Sequence, residues 1–337
     1  MRWLPRSLGA MSTPLSLIDF CTRYPGESVG KAIERSVTFA QEAEALGFSR
    51  IWYSEHHNMT RIISSAPAVL IAHVGAKTEK IRLGAGGVML PNHSPYVIAE
   101  QFGMLAEMYL QRIDLGLGRA PGTDQQTLGQ ALRRDPRAAE NFPQDVLELQ
   151  AWMSNQSPMP GVVAMPGAST NVPIYILGSS MFGASLAAKL GLPYSFASHF
   201  APQHLEQATT YYRENYEPSE RYLEPYCIAA VNVIASESME DADRQEKLVH
   251  KERVRAFVGR RGTPLSDDQL EQIIHSYQGR QITDMLRYTA KGTGTEVREY
   301  LQWFREHAKA DELMISVQAP TFEETVHTMG IVATSMQ

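Results

Sequence analysis

Apolar runs beginning near residues 15, 50, 81, 113, 173, 194, 228 and 313 recur along the chain, and each is followed by a segment of helical pattern. Strand and helix alternating in this way put parallel strands in one sheet, because each crossover needs a helix to return the chain to the starting edge. The pattern predicts an α/β fold, and eight such units are what a (β/α)8 TIM barrel requires. An open doubly wound sheet shares the alternation. With 337 residues the chain is long enough to form either one as a single domain.

Local signals bound the units. Ile33, Val37, Ala40, Ala43 and Leu46 repeat at helical spacing until Gly47 supplies a stop. The almost unbroken apolar character from Ala66 to Ala76 suits a helix buried on most sides. Tyr96 to Tyr109, Asp145 to Met153, Met181 to Leu190, His204 to Tyr212, Met239 to about Val258, Glu296 to His307 and Phe322 to Met329 supply the other helices. Residues 1–12 read as a flexible extension ahead of a barrel over 13–337, and residues from about 259 to 294 break the rhythm and read as an insertion before the last strand. A long, polar, Arg-rich connection follows the fourth strand; connections of that length in compact domains usually carry function.

Composition narrows the function classes. A net charge of −6 gives no general attraction to nucleic acid or to an anionic membrane surface. No run approaches the ~18 apolar residues of a membrane span. Cys21 and Cys227 form neither a disulfide framework nor a zinc spacing, so a reducing cytoplasm is the expected location.

The polar chemistry gathers where the strands end, which is where an α/β barrel builds its site from βα loops. His56 and His57 follow the second strand; their side chains point different ways, so at most one faces the barrel axis, where it could act as general acid or base. Loop histidines bonded to backbone are the plainer account. No His-Glu-x-x-His helix or third ligand accompanies them, so no metal site is expected. Gly86-Gly87 follows the third strand and would let a flat ring system lie against bare backbone, although glycines also simply end strands.

Gly116-Leu117-Gly118-Arg119-Ala120-Pro121-Gly122 lacks the spacing of a dinucleotide-binding loop, and Pro121 falls where the phosphate-binding helix should begin. Arg119 there is a candidate cation for a phosphate or carboxylate, or half of a surface salt bridge. Gly178-Ser179-Ser180 leads into a helix whose first N–H groups and serine hydroxyls could hold an anion, or the serines could simply cap it. His199, ending the sixth strand, is a further inward-facing candidate beside His57 for contact with a substrate.

Taken together, Ile51 to Met59, Ile81 to Pro95, Arg112 to Asp124 and Pro173 to Gly183 resemble the bacterial-luciferase-like family of flavin-dependent monooxygenases, in its single-subunit branch. The resemblance spans nearly the whole chain and is weakest from about 235 to 295. It implies a barrel that binds reduced FMN at its C-terminal face, with the flavin ring beside a non-prolyl cis peptide at Gly86-Gly87. It carries the phosphate contacts onto Arg119, Ser179 and Ser180, and the proposed acid or base onto His56. The luciferase active-site cysteine falls on Gly118 in the cofactor-binding loop, which implies an enzyme without thiol-dependent behaviour and argues against light emission. Tyr109-Leu110-Gln111 replaces a Pro-Gly turn common in the family.

The activity so implied is oxygenation of a small organic substrate, such as an aldehyde, by FMNH2 and O2. A separate NAD(P)H:flavin reductase would reduce the FMN, since no nicotinamide-binding motif is present, and a homodimer is the expected assembly. Two alternatives remain at this level: an oxidoreductase using the deazaflavin F420, and a flavin-binding protein without catalysis.

Overall fold

The computed structural model describes residues 13–135, 137–258 and 265–337. The extension expected over 1–12 and the opening residues 259–264 of the expected insertion lie outside these. In chain order the elements are β1 (Leu15–Asp19), α1 (Val29–Ala45), β2 (Arg50–Tyr53), α2 (Pro67–Gly75), β3 (Arg82–Met89), α3 (Pro95–Met108) and β4 (Ile113–Gly118). There follow α4 (Phe142–Met153), β5 (Ile174–Gly178), α5 (Met181–Leu190), β6 (Tyr194–Phe196), α6 (Leu205–Glu214), β7 (Cys227–Ala235) and α7 (Met239–Val258). The series ends with α8 (Asp267–His275), α9 (Tyr277–Thr283), β8 (Thr289–Gly292), α10 (Gly294–His307), β9 (Glu312–Val317) and α11 (Phe322–Ser335).

The strands run β6-β5-β4-β3-β2-β1-β9-β7, and a β6–β7 pairing closes the ring, so the molecule is an eight-stranded parallel barrel in a single domain. The open sheet is thereby excluded. Register can be followed round it: Leu17 pairs with Ile51, Ile51 with Leu83, Leu83 with Ile113, Leu115 with Ile174, Ile176 with Tyr194, Tyr194 with Cys227, Ala229 with Leu313, and Leu313 with Leu15. These side chains belong to the large core between strands and helices. Because side chains alternate along a strand, Ile18, Trp52, Tyr175, Ile228, Ala230 and Met314 form a second cluster that fills the barrel itself.

Near the strands' N-terminal ends that interior turns polar. Arg50 donates to Asp114 at 2.7 Å and to Tyr175 Oη at 2.7 Å, and its Nε lies 2.9 Å from Glu312 Oε1. Tyr226 Oη donates to Glu312 at 2.6 Å, Ser16 also donates to Glu312, and Arg82 joins Asp114. Burial pushes the Asp114 carboxyl up, but Arg50 and Arg82 more than offset this and hold it below its ordinary value. Two arginines meet two acids, so the plug stitches β1, β2, β3, β4, β5 and β9 together without carrying net charge.

Between β7 and the barrel helix α10 the chain inserts α7, α8, α9 and β8. β8 adds to the edge of β7, with Asn232 opposite Thr289 and Ala235 opposite Gly292, beyond the stretch of β7 that pairs with β6. This ninth strand is an addition to the sequence expectation; its four residues, Thr-Ala-Lys-Gly, are too short and polar to show a strand pattern. Among the described residues, no helix is long and apolar enough to cross a membrane.

Candidate functional site

His56 leaves the end of β2 with its Nδ1 3.1 Å from Ser54 Oγ. Ser54 Oγ lies 2.7 Å from Ser64 Oγ, and Ser64 Oγ donates to the Phe20 carbonyl at 3.1 Å. Each hydroxyl has one proton, so the direction of this chain can be worked out. Ser64 spends its proton on the carbonyl and must accept from Ser54; Ser54 has then spent its own and must accept from His56. The Nδ1 of His56 therefore carries the proton, and in the neutral ring Nε2 is the free lone pair. Burial lowers the His56 pKa, which favours that neutral ring.

The Phe20 ring lies 6.1 Å from the His56 ring and 5.9 Å from that of His199. His199 is 5% exposed, its carbonyl accepts from Asn232 Nδ2 at 2.8 Å, and its Nδ1 has no partner among the described residues. Burial drives its pKa down to about 3, with the charge of Arg253 adding to the shift. His56 and His199 thus share one apolar wall at the C-terminal mouth.

His57 turns elsewhere. Its Nε2 lies 2.9 Å from Glu55 Oε1, and the same carboxylate receives His93 Nε2 at 2.9 Å, the Met89 N–H at 2.9 Å and Asn92 Nδ2 at 3.4 Å. Glu55 is buried; burial raises its pKa, but the hydrogen bonds from His57 and His93 win and bring it down to about 2. The result is an ionised clamp that joins the loops after β2 and β3. Sequence reasoning missed Glu55 and His93 as site-building residues, although both sit inside the motifs that carry the resemblance.

Across the mouth, Arg119 follows β4 directly and extends its guanidinium over the Phe182 ring, 3.9 Å from the centroid. Phe182 stands in the first turn of α5, so this contact brings Arg119 to the helix N-terminus that follows Ser179 and Ser180. Neither plainer account applies among the described residues: Arg119 has no ion pair, and N-cap Ser180 makes no side-chain capping bond. A cation, uncommitted hydroxyls and the positive end of a helix dipole are together suited to an anion such as a phosphate.

The Gly86-Gly87 peptide between these two sides is cis. A Cβ on Gly86 would lie 2.8 Å from Trp52 Cβ, and one on Gly87 would lie 2.8 Å from the Gly116 carbonyl oxygen and collide with Leu177. A Cβ on Gly118 would meet Met89 Sδ at 2.8 Å. Packing against neighbouring strands and side chains thus already demands these glycines.

A family model for luciferase-like monooxygenases matches residues 16–311, most of the chain. The chain belongs to the luciferase-like monooxygenase family. A luciferase-like monooxygenase of Escherichia coli K12 is 42% identical over 318 residues, covering 94% of this chain and 95% of its own. Among solved structures, apo-MsnO8 superposes with a TM-score of 0.84 at 26% identity, over 96% of this chain and 98% of that one. The fold extends to more distant relatives. The oxygenating constituent of 3,6-diketocamphane monooxygenase from Pseudomonas putida, in complex with FMN, has a TM-score of 0.71 at 15% identity, covering 97% and 98% of the two chains. An F420-dependent secondary alcohol dehydrogenase has 0.68 at 15%, covering 97% and 100%. The fold neighbours thus include one structure in complex with FMN and one F420-dependent enzyme.

Proposed function

We propose that the protein is a monooxygenase that takes FMN reduced by a separate flavin reductase and, with O2, oxygenates a small organic substrate at the C-terminal mouth of the barrel. The observation that carries this is the Arg119–Phe182 contact, which holds a guanidinium without an ionic partner among the described residues over the first turn of α5. In this reading Arg119, Ser179 and Ser180 hold the FMN phosphate, and the backbone of Gly86, Gly87 and Gly118 forms the wall for the ring. When bound, the reduced flavin supplies the oxygen chemistry.

The protein's own work is to orient, to exclude water and to move a proton. His56 accepts that proton at Nε2, the nitrogen left free by its bond to Ser54. Phe20 and Trp52 keep the floor of the mouth apolar, while His57 shapes the loop through Glu55 rather than meeting substrate directly. Val69 on α2, Val97, Met104 and Met108 on α3, and Leu110 just after it are exposed large apolar side chains, which supports pairing of two copies into a homodimer.

The test is a titration of the purified protein with FMN, riboflavin and F420 in oxidised and reduced forms. Preference for FMN supports the monooxygenase; preference for F420 favours the hydride-transfer alternative, and binding without substrate-dependent O2 uptake favours a non-catalytic flavin carrier.

A further inference from the structure

The C-terminal half of α7 has no part in the flavin assignment, yet it lies at the mouth. Glu252 pairs with Arg61 in the segment after β2, three strands round the barrel from β7, where the helix originates. The next residue, Arg253, makes no hydrogen bond or ion pair among the described residues. It is only partly exposed, and surrounding protein lowers its pKa with no carboxylate to oppose the effect. Arg253 stands on the helix face of Ala242 and Val249, which pack against Ile234 of β7; Asn232 of the same strand donates to the carbonyl of His199, the histidine that shares Phe20 with His56.

The acids that could neutralise it are engaged elsewhere. Glu252 holds Arg61 and Arg255, Glu246 holds Lys291 at 2.8 Å, and Glu55 holds His57 and His93. A guanidinium enclosed without a counter-charge is destabilising unless a bound group supplies one. Neither histidine of the mouth brings a negative charge: His199 keeps an unpartnered Nδ1, and the His56 ring bonds to Ser54. Arg119 stands apart from this cluster, over α5, so the mouth has two separate cationic points.

We propose that Arg253 receives a carboxylate of the substrate, so that the molecule oxygenated is a small organic acid whose reacting end lies against Phe20 and His56. A planar guanidinium matches a carboxylate with two parallel hydrogen bonds, and the enclosure strengthens them. The proposal rests on the assignment of this mouth as the flavin and substrate site. It assigns the two cationic points different anions, the flavin phosphate at Arg119 and the substrate carboxylate at Arg253.

Calorimetric titration of the full chain without flavin tests this with short- and medium-chain aliphatic and aromatic carboxylic acids, each beside its amide. At least one acid should bind about tenfold or more tightly than its amide, the Arg253→Gln variant should lose the preference, and Arg253→Lys should keep part of it. Thermal unfolding of Arg253→Gln should show a fold at least as stable as the parent, since an unpaired enclosed charge has been removed. FMN and riboflavin titrations of the same variants separate the two anions. If Arg253→Gln weakens FMN but not riboflavin and leaves the acids unaffected, Arg253 holds the flavin phosphate and the proposal is wrong. It is equally wrong if no acid is preferred to its amide by the parent protein. Failure of the flavin assignment would instead appear as acid preference intact with no flavin bound.

Discussion

His56 Nδ1 donates to Ser54 Oγ at 3.1 Å, because Ser54 gives its own proton to Ser64, which donates onward to the Phe20 carbonyl, and can only accept from the ring. The tautomer of His56 is thus set by two hydroxyl groups, neither of which touches the mouth. Replacing His56 by Gln should lower kcat by about 10²–10⁴-fold while FMN affinity stays near that of the parent. Ser54→Ala should produce a smaller loss in kcat with the same FMN affinity, because the ring can then turn or carry its proton on Nε2. Steady-state kinetics beside flavin titration measures both.

The same histidine sets the acid limb of the rate profile. Burial puts its pKa below the ordinary 6.5, so the neutral, accepting ring dominates at neutrality. A plot of kcat/KM against pH should be flat near pH 7 and fall as pH drops through a pKa below 6.5. A limb centred above that value would show that another group accepts the proton.

Glu55 should make stability depend on acid. Its pKa is about 2 in the folded chain against an ordinary 4.5, so above pH 4.5 its carboxylate contributes in full. As pH falls from 4.5 towards 2 the unfolded chain takes up the proton first and that contribution is lost. The shift corresponds to about 3 kcal/mol. Glu55→Gln should therefore lower stability at pH 7 by roughly that amount and flatten the decline in this window, as denaturant unfolding at a series of pH values will show.

The Arg50, Asp114 and Glu312 plug predicts a loss of another kind. Asp114→Ala leaves Arg50 buried with one carboxylate fewer, which should cost about 3–5 kcal/mol. Its distance along the barrel from the mouth predicts little change in flavin affinity for whatever protein remains folded. Chemical denaturation and flavin titration of the same variant check the two halves of this statement.

Much of the architecture is legible in the amino-acid sequence, because strand and helix periods differ and stop signals such as Gly47 are local. The strand expected to begin near 113 is Ile113–Gly118, and the helix expected over Met181 to Leu190 has those bounds. β8 escapes because four residues containing a lysine carry no period of their own; the edge of β7 makes them a strand. The site is legible by type and not by partnership. His56 and His57 are adjacent letters, yet the loop after β2 sends one to Phe20 and Ser54 and the other to Glu55. Arg253 leaves no trace, since an arginine in a charged helix reads as solvated surface until Glu252 is seen to carry that helix to Arg61.

Phe182 should matter through Arg119. Phe182→Ala removes a cation–π contact of about 0.5–1 kcal/mol and frees the guanidinium, so FMN affinity should fall by only a few-fold. Riboflavin affinity should not change, which separates loss of the phosphate anchor from damage to the ring site.

The central claim is that the mouth binds a flavin by its phosphate, and the direct measurement is the ratio of FMN to riboflavin affinity in the parent and in Arg119→Ala. The account predicts FMN bound about tenfold or more tightly than riboflavin, with Arg119→Ala bringing the two close together. Equal affinities in the parent, or a ratio unmoved by Arg119→Ala, would contradict it.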